Sequence, residues 1–446
     1  VKFHIKTYGC QMNERDSEAA GALLAQRGLQ ETPHESSADI VIVNTCTVRG
    51  KAADKALGKL GLLVATKRDH PQRVVGAMGC IVQQFKNRIL QKVPGLDFAV
   101  GTHRLAYLPD IVSRVLSGDR PIVDASEAPE HTTDFSMHCD GAISAFVNIL
   151  QGCNRRCTYC VVPSVRGNEW SRPADKIVAE ISHLVTHGVK EVTLLGQSVM
   201  SYGRQNGVWP EPNQSPRGFK EPFARLLEAV NNIEGLARIR FTSGHPSGCT
   251  EELVRAMSEL PAVCEHLHLP LQSGSDRILK VMRRGYTIEE YRHAVGCIRS
   301  AVPDVVLTTD IIVGFPGETP DDFDMTRRFM DEIGFDNAFV FKYSPRPDTK
   351  AAEFKDDVCS SEKLKRNKVL LADLDARGIC INKDLVGRRV EVLVEGKSLR
   401  NSARLVGRTR TNKIVVFPAN GETRAGDVVN VEIERATAQT LYGKEP

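Results

Sequence analysis

The sequence predicts an α/β protein in three parts: an N-terminal parallel-sheet α/β segment, a partial parallel (βα)6 barrel, and a small antiparallel β-barrel at the C-terminal end. Two observations predict it. Up to about residue 375, apolar strand-like runs alternate with stretches of helix length, the pattern of a parallel sheet. Beyond it, short strands separated by Gly-containing turns take over. The 446 residues, 41% hydrophobic and 26% charged, suffice for two or three cores of ordinary globular composition.

In the first segment (1–120), "FHIKT" reads as a strand and "NERDSEAAGALLAQRG" as a helix stopped by Gly28. The strand "DIVIVNT", the helix-like "KAADKALGKLGLLVATKRD" and the strand "RVVGAM" follow. Residues 121–141 are polar, broken by Pro129 and without period, and are expected to be a linker. The second segment (142–375) carries six strand-like runs, "AFVNIL", "EVTLLG", "ARIRFTS", "EHLHLPL", "VVLTTDIIVG" and "NAFVFKY". Helix-like stretches separate them, at 173–187, 221–232, 250–259 and 320–332 among others. Six βα units are fewer than the eight that close a parallel barrel. Residues 201–218, rich in Gly, Pro and Asn, read as a long loop. The last segment (376–446) fits a barrel of the OB type, a scaffold used for RNA and oligonucleotides.

No run of eighteen apolar residues occurs, and no apolar leader opens the chain, so neither a membrane span nor a signal peptide is expected. Twelve cysteines without a secretion signal point to the reducing cytoplasm, where thiols bind metals or react more often than they crosslink. The net charge of +4 is localised: residues 381–446 hold 12 Lys/Arg against 8 Asp/Glu, leaving 47 of each elsewhere. That favours a polyanion at this end, although on charge alone an ordinary mildly basic surface is the better reading. Arg388, Arg389, Arg404, Arg408, Arg410 and Lys413 are the candidate phosphate contacts. No P-loop, HExxH or GxSxG motif is present. His266 and His268 alternate as H-x-H, which fits polar strand residues near a barrel mouth better than a metal pair.

Two cysteine sets carry the chemistry. "QGCNRRCTYC" places Cys153, Cys157 and Cys160 just after a predicted strand, on a βα loop of the kind that builds active sites. Structural zinc wants four ligands and a disulfide two, whereas three thiols suit a cubane iron–sulfur cluster with one iron free. A zinc loop with a remote fourth ligand is the competing reading. Cys10, Cys46 and Cys80 each close a predicted strand, spaced by 36 and 34 residues, about one βα unit apiece. Neighbouring parallel strands bring such ends together, so these three can share a second cluster site. One strand-end cysteine alone would read as packing.

C-x3-C-x2-C with Tyr159 before its last cysteine resembles the signature of radical S-adenosylmethionine (SAM) enzymes. "TYGCQMNERDSE", "NTCTVR", "GAMGC", "ILQGCNRRCTYCVVPSVRG", "LPLQSGSD", "MRRGYT" and "TDIIVGFPGET" resemble, in order and across essentially the whole chain, the methylthiotransferase family with its C-terminal TRAM-type barrel. "KYSPRPDTKAA" and "GRTRTNKIVVF" look most like its MiaB branch, which attaches a methylthio group to C2 of N6-dimethylallyladenosine at position 37 of tRNA. The chain departs from the family pattern at Ser198 and Met200, at Gly244, and at "NEW" (168–170).

The resemblance implies that Cys153, Cys157 and Cys160 hold a radical 4Fe–4S cluster, and that Cys10, Cys46 and Cys80 hold an auxiliary 4Fe–4S cluster bearing a sulfide. It implies SAM both as methyl donor and as radical source. The chemistry needs a radical because the C2–H of adenine is too weakly acidic for any side-chain base. SAM contacts are expected from Tyr159, from the strand-end residues Gln197, Ser243, His245, Gln272 and Ser273, and from Asp310. Turn and capping roles stay open for Ser243, His245, Gln272 and Ser273. The implied partners are the anticodon stem-loop of a tRNA carrying dimethylallyladenosine, whose target base leaves its stack, and an electron donor of flavodoxin or ferredoxin type. A monomer without membrane contact is expected. Two alternatives remain. One is the same chemistry on threonylcarbamoyladenosine in tRNA or on a ribosomal-protein aspartate. The other is a non-catalytic iron–sulfur protein that binds RNA or senses redox state. Cys139, Cys249, Cys264, Cys297, Cys359 and Cys380 are assigned no role.

Overall fold

Strands in register, rather than long helices, set where the cysteines lie. The computed structural model describes residues 1–48, 50–127, 142–209 and 215–445. The first unit comprises β1 (Lys2–Thr7), α1 (Gln11–Gln26), β2 (Gln30–Glu31), β3 (Ile40–Thr45), α2 (Gly50–Thr66), β4 (Val74–Gly79), α3 (Cys80–Phe85), α4 (Ile89–Lys92), β5 (Phe98–Val100), α5 (Leu108–Leu116) and β6 (Ile122–Asp124). Its sheet is wholly parallel, in the order β2-β1-β3-β4-β5-β6. The apolar run "IVIV" of β3 serves both faces with period two. Ile40 and Ile42 pack with Leu24, Phe98 and Ile111, whereas Val41 and Val43 pack with Leu60, Val75 and Ile81. The linker expected at 121–141 starts too early, because Ile122–Asp124 pair with β5 as the edge strand. Residues 128–141 of that linker, Cys139 among them, and 210–214 of the expected long loop lie outside the described residues.

The second unit comprises β7 (Ser144–Asn148), β8 (Leu150–Gln151), α6 (Val162–Arg166), β9 (Trp170–Ser171), α7 (Ala174–Thr186), β10 (Glu191–Leu195), α8 (Pro222–Asn231), β11 (Arg238–Phe241), α9 (Glu251–Glu259), β12 (His266–His268), α10 (Asp276–Met282), α11 (Ile288–Ala301), β13 (Val306–Val313), α12 (Pro320–Ile333) and β14 (Asn337–Lys342). Strands β7, β10 and β11 pair in parallel, as do β12, β13 and β14. Among the described residues a single parallel bridge, Ile239 to Val263, joins the two halves. The six strands therefore follow chain order as a partial barrel, and no ladder among the described residues joins β14 back to β7.

Helix α13 (Ser360–Lys383) runs through the boundary expected at 375/376 and leads into β15 (Arg389–Ser398), β16 (Asn401–Thr409), β17 (Ile414–Pro418), β18 (Val428–Ala436) and β19 (Thr440–Lys444). These close into a barrel in the order β15-β16-β17-β19-β18 around Val392, Val394, Leu405, Phe417 and Val431. One pairing, β17 with β19, is parallel, so the barrel is not purely antiparallel as expected. The turn between β16 and β17 seats on the N-terminal ends of the central strands. Arg238, first residue of β11, donates to the Arg408 carbonyl at 2.7 Å and to Glu391 at 2.8 Å. Arg240 donates to the carbonyls of Thr409 and Arg410, both at 2.7 Å. No helix among the described residues is long and apolar enough to cross a membrane.

Candidate active site

The loop after β8 carries Cys153, Cys157 and Cys160, and its backbone is tightly tied. Gly152 sits at φ +78, and a Cβ there would lie 2.0 Å from the Asn168 carbonyl oxygen, so the loop approaches its neighbour as only glycine allows. The Gly152 N–H donates to Gln197 Oε1 at 2.6 Å. Thr158 donates through its backbone to the Met282 carbonyl and through its hydroxyl to that of Val281, each at 3.0 Å. Around the sulfurs, Arg284 Nη1 lies 3.4 Å from Cys157 Sγ, and the Arg155 N–H lies 3.4 Å from Cys153 Sγ. Burial pushes the Cys160 thiol up to about 12, with neighbouring Cys157 adding to the rise.

The other three cysteines sit together at the C-terminal ends of β1, β3 and β4, which are adjacent in the sheet. Strand order reverses direction between β1 and β3, the crevice where open parallel sheets place ligands. Gly9, at φ +145, lets this happen: a Cβ there would meet the Cys46 Cβ at 2.7 Å. A hydrogen bond with Cys46 holds the Cys10 thiol down to about 6. The ends are locked by amides, with Asn13 Nδ2 on Asn44 Oδ1 at 3.0 Å and Asn44 Nδ2 on the Asn13 carbonyl at 2.8 Å. Burial raises the Cys80 thiol, and the nearby Arg166 guanidinium opposes that rise.

The two sets face one space. A cavity of about 1470 Å³ is lined by Cys10, Cys80, Cys153, Cys157 and Cys160. Cys46 is fully buried behind Cys10. Val161 and Val165, which follow Cys160, pack directly on Cys80. Arg166, at the end of α6, crosses the seam to Asp16 of α1 at 2.6 Å with both side chains buried. The chemistry of each donor set, three thiols with no histidine or carboxylate among them, suits iron–sulfur iron.

Of the residues expected to contact SAM, Tyr159, Gln197, Ser243, His245, Gln272 and Asp310 line this cavity. Tyr159 packs edge-on against Phe315, centroids 6.5 Å apart. Both His245 ring nitrogens are engaged, with Ser247 Oγ at 2.9 Å and the Arg284 carbonyl at 3.2 Å, and burial holds the imidazole down to about 2. Asp310 lies 3.5 Å from His268. Ser273 is a correction. His266, His268, Pro270 and Gln272 line the cavity while Leu267, Leu269 and Leu271 face the core, so the in–out alternation turns Ser273 into the core beside Thr326, away from the cavity. The basic residues of the last segment divide. Arg388, Arg389 and Arg404 are exposed. Arg410 is instead bound to Glu265, at 2.7 Å, and to the Val263 carbonyl, Lys413 to Asp336 at 2.8 Å, and Arg408 to Glu395 at 2.9 Å. Met200 and Gly244, two departures from the family pattern, touch: a Cβ on Gly244 would lie 2.8 Å from Met200 Cε. Arg166 and Arg284 were missed. The block "MRRGYT" was the one available signal for Arg284.

Three family signatures match the chain: the uncharacterized protein family UPF0004 over residues 2–101, the radical SAM superfamily over 147–330, and the TRAM domain over 383–444. Among solved structures, the radical SAM methyltransferase TsrM of Kitasatospora setae, described with cobalamin and a 4Fe–4S cluster bound, superposes with a TM-score of 0.58 at 14% identity. That match covers 79% of this chain and 74% of the other, and it bears on fold alone. Curated relatives are much nearer in sequence. The tRNA-2-methylthio-N(6)-dimethylallyladenosine synthase of Akkermansia muciniphila is 44% identical over 99% of this chain and 98% of its own length. Those of Moorella thermoacetica and Syntrophus aciditrophicus are 44% and 43% identical, over 99% of this chain and 98% and 94% of theirs. Identity of this order along whole chains, with both cysteine sets meeting one cavity, means that the chain belongs to the tRNA-2-methylthio-N6-dimethylallyladenosine synthase family of radical SAM enzymes.

Proposed function

We propose that this protein methylthiolates C2 of N6-dimethylallyladenosine, beside the anticodon of a tRNA, using SAM and two 4Fe–4S clusters held by its two cysteine triads. The observation that carries the reading is the single cavity bordered by thiols of both sets. When bound, the cluster on Cys153, Cys157 and Cys160 supplies with SAM a carbon radical able to take the C2 hydrogen, and the one on Cys10, Cys46 and Cys80 supplies sulfide.

The remaining work falls to the chain's own residues. Arg284 beside Cys157 and Arg166 beside Cys80 offset the negative charge that thiolates bring into a buried site. Gln197 holds the loop that carries the radical triad. Tyr159, Ser243, Gln272 and Asp310 are the side chains we assign to SAM or substrate. Exposed Arg388, Arg389 and Arg404 are assigned to RNA phosphates, whereas Arg410 and Lys413 anchor the small barrel. The protein works in the cytoplasm as a monomer, supplied with electrons by a flavodoxin or ferredoxin. The test is mass spectrometry of nucleosides from dimethylallyl-containing tRNA after reaction with reduced, reconstituted enzyme and SAM. A methylthio-dimethylallyladenosine peak is expected. Its absence, with about eight irons per chain bound, overturns the reading.

A further inference from the structure

Strand β14 presents two phenyl rings to the open side of the partial barrel. Phe339 and Phe341 alternate on one face of the strand and stack with centroids 6.3 Å apart at 23°. Phe339 is 56% exposed, although it lies on an interior-facing strand and lines the same cavity as the cysteines. His268 meets its ring edge-on at 6.4 Å. Asp310 stands opposite Phe339 in the β13–β14 register and lies 3.5 Å from His268. An aromatic surface with a polar pair beside it therefore borders the chamber.

We propose that Phe339 and Phe341 are the specificity surface for the prenylated base. They would receive the purine face and the five-carbon dimethylallyl tail, with the Asp310 carboxylate facing the single N6–H of the substrate. This rests on the methylthiolation reading above. A flat aromatic pair suits a purine, because every base offers a π-face. The tail adds apolar area that the rings can bury against, which favours the prenylated base over the unmodified one. Of the classes the chamber could admit, a base with an alkyl substituent matches both the rings and the adjacent acceptor.

The test uses reconstituted holoenzyme and two synthetic anticodon stem-loops that differ only in the dimethylallyl group, with dissociation constants by fluorescence anisotropy and kcat/KM by nucleoside mass spectrometry. Iron content and SAM binding are measured in parallel to certify each variant. Phe339→Ala should weaken binding of the prenylated stem-loop by about 5- to 100-fold, the range for loss of one base–aromatic stack. Binding of the unprenylated one should fall by clearly less, because it loses the purine contact but has no tail to lose, and Phe339→Tyr should restore the preference because the ring face is kept. Equal losses on both RNAs, or wild-type discrimination by Phe339→Ala, overturns the assignment. If wild type makes no methylthio product, it is the functional reading that has failed. If wild type turns over and Phe339→Ala matches it, this assignment alone has failed.

Discussion

The seam between the two cysteine sets should yield to one substitution, Arg166→Met. Arg166 and Asp16 are 4% and 7% exposed, bonded at 2.6 Å, and contributed by different units of the fold. Removing one partner of a buried pair strands the other charge, at a cost of about 3–5 kcal/mol. Arg15 of α1 also acts electrostatically on Asp16, so the cost for Arg166→Met should fall toward the lower end, about 3 kcal/mol. Adding Asp16→Asn removes the stranded carboxylate and should recover most of that loss, giving a coupling energy of about 1.5–3 kcal/mol. The assay is anaerobic urea unfolding followed by tryptophan emission. The chain's two tryptophans, Trp170 and Trp209, both lie in the central unit, and Trp170 follows α6 closely. Because Val161 and Val165 pack on Cys80, Arg166→Met should also lower iron retention by the first unit more than by the second. Single variants that each cost less than about 1 kcal/mol, or effects that simply add, would refute the view that this pair holds the two sites face to face.

Three further outcomes follow from the same geometry. Cys153→Ala and Cys46→Ala should each reduce iron from about eight to about four per chain. Cys153→Ala should lose reductive SAM cleavage, whereas Cys46→Ala should keep it and form no methylthio product. Product from Cys46→Ala would show that the second set does not carry the sulfur. Replacing Arg388, Arg389 and Arg404 together with Ala should reduce the salt slope of tRNA binding by about 2–3, roughly one per lost phosphate contact. Arg410→Ala should leave that slope and instead loosen the small barrel, which limited proteolysis at α13 would report. His266 is buried, and burial with Arg240 nearby holds its imidazole down to about 3. The unfolded chain therefore binds the extra proton between about pH 3 and 6.5, so the stability tied to His266 is present above 6.5 and is lost as pH falls toward 3. The slope is at most about 1.4 kcal/mol per pH unit. His266→Asn should flatten it, and denaturation midpoints at about pH 5 and 7 would check this.

What could be read from the sequence was whatever depends on neighbours along the chain. The radical triad lies within eight residues, and the other triad lies at three strand ends whose order in the sheet follows chain order. Their convergence therefore needed only the parallel alternation. Strands β5 and β6, three residues each, are too short to show a period, so the sheet was underdrawn and the linker placed too early. Ser273 differs from the expectation because two neighbours on one extended segment cannot both face the cavity, and Gln272 takes the cavity side. The charges failed for a different reason. Arg166 meets Asp16 from 150 positions away, Arg284 meets Cys157 from 127, and Arg410 meets Glu265 from 145. A count of basic residues in one segment carries no information about acidic partners in another, so Arg410 and Lys413 looked like RNA contacts. The same fact changes what the small barrel does. Its β16–β17 turn is bound by Arg238 and Arg240 at the N-terminal ends of the central strands, and both Arg408 and Lys413 border the cavity. The small barrel to which we assign the RNA phosphates thus also borders the cavity lined by cysteines of both sets, so RNA docked on it would hold its loop in a fixed relation to both.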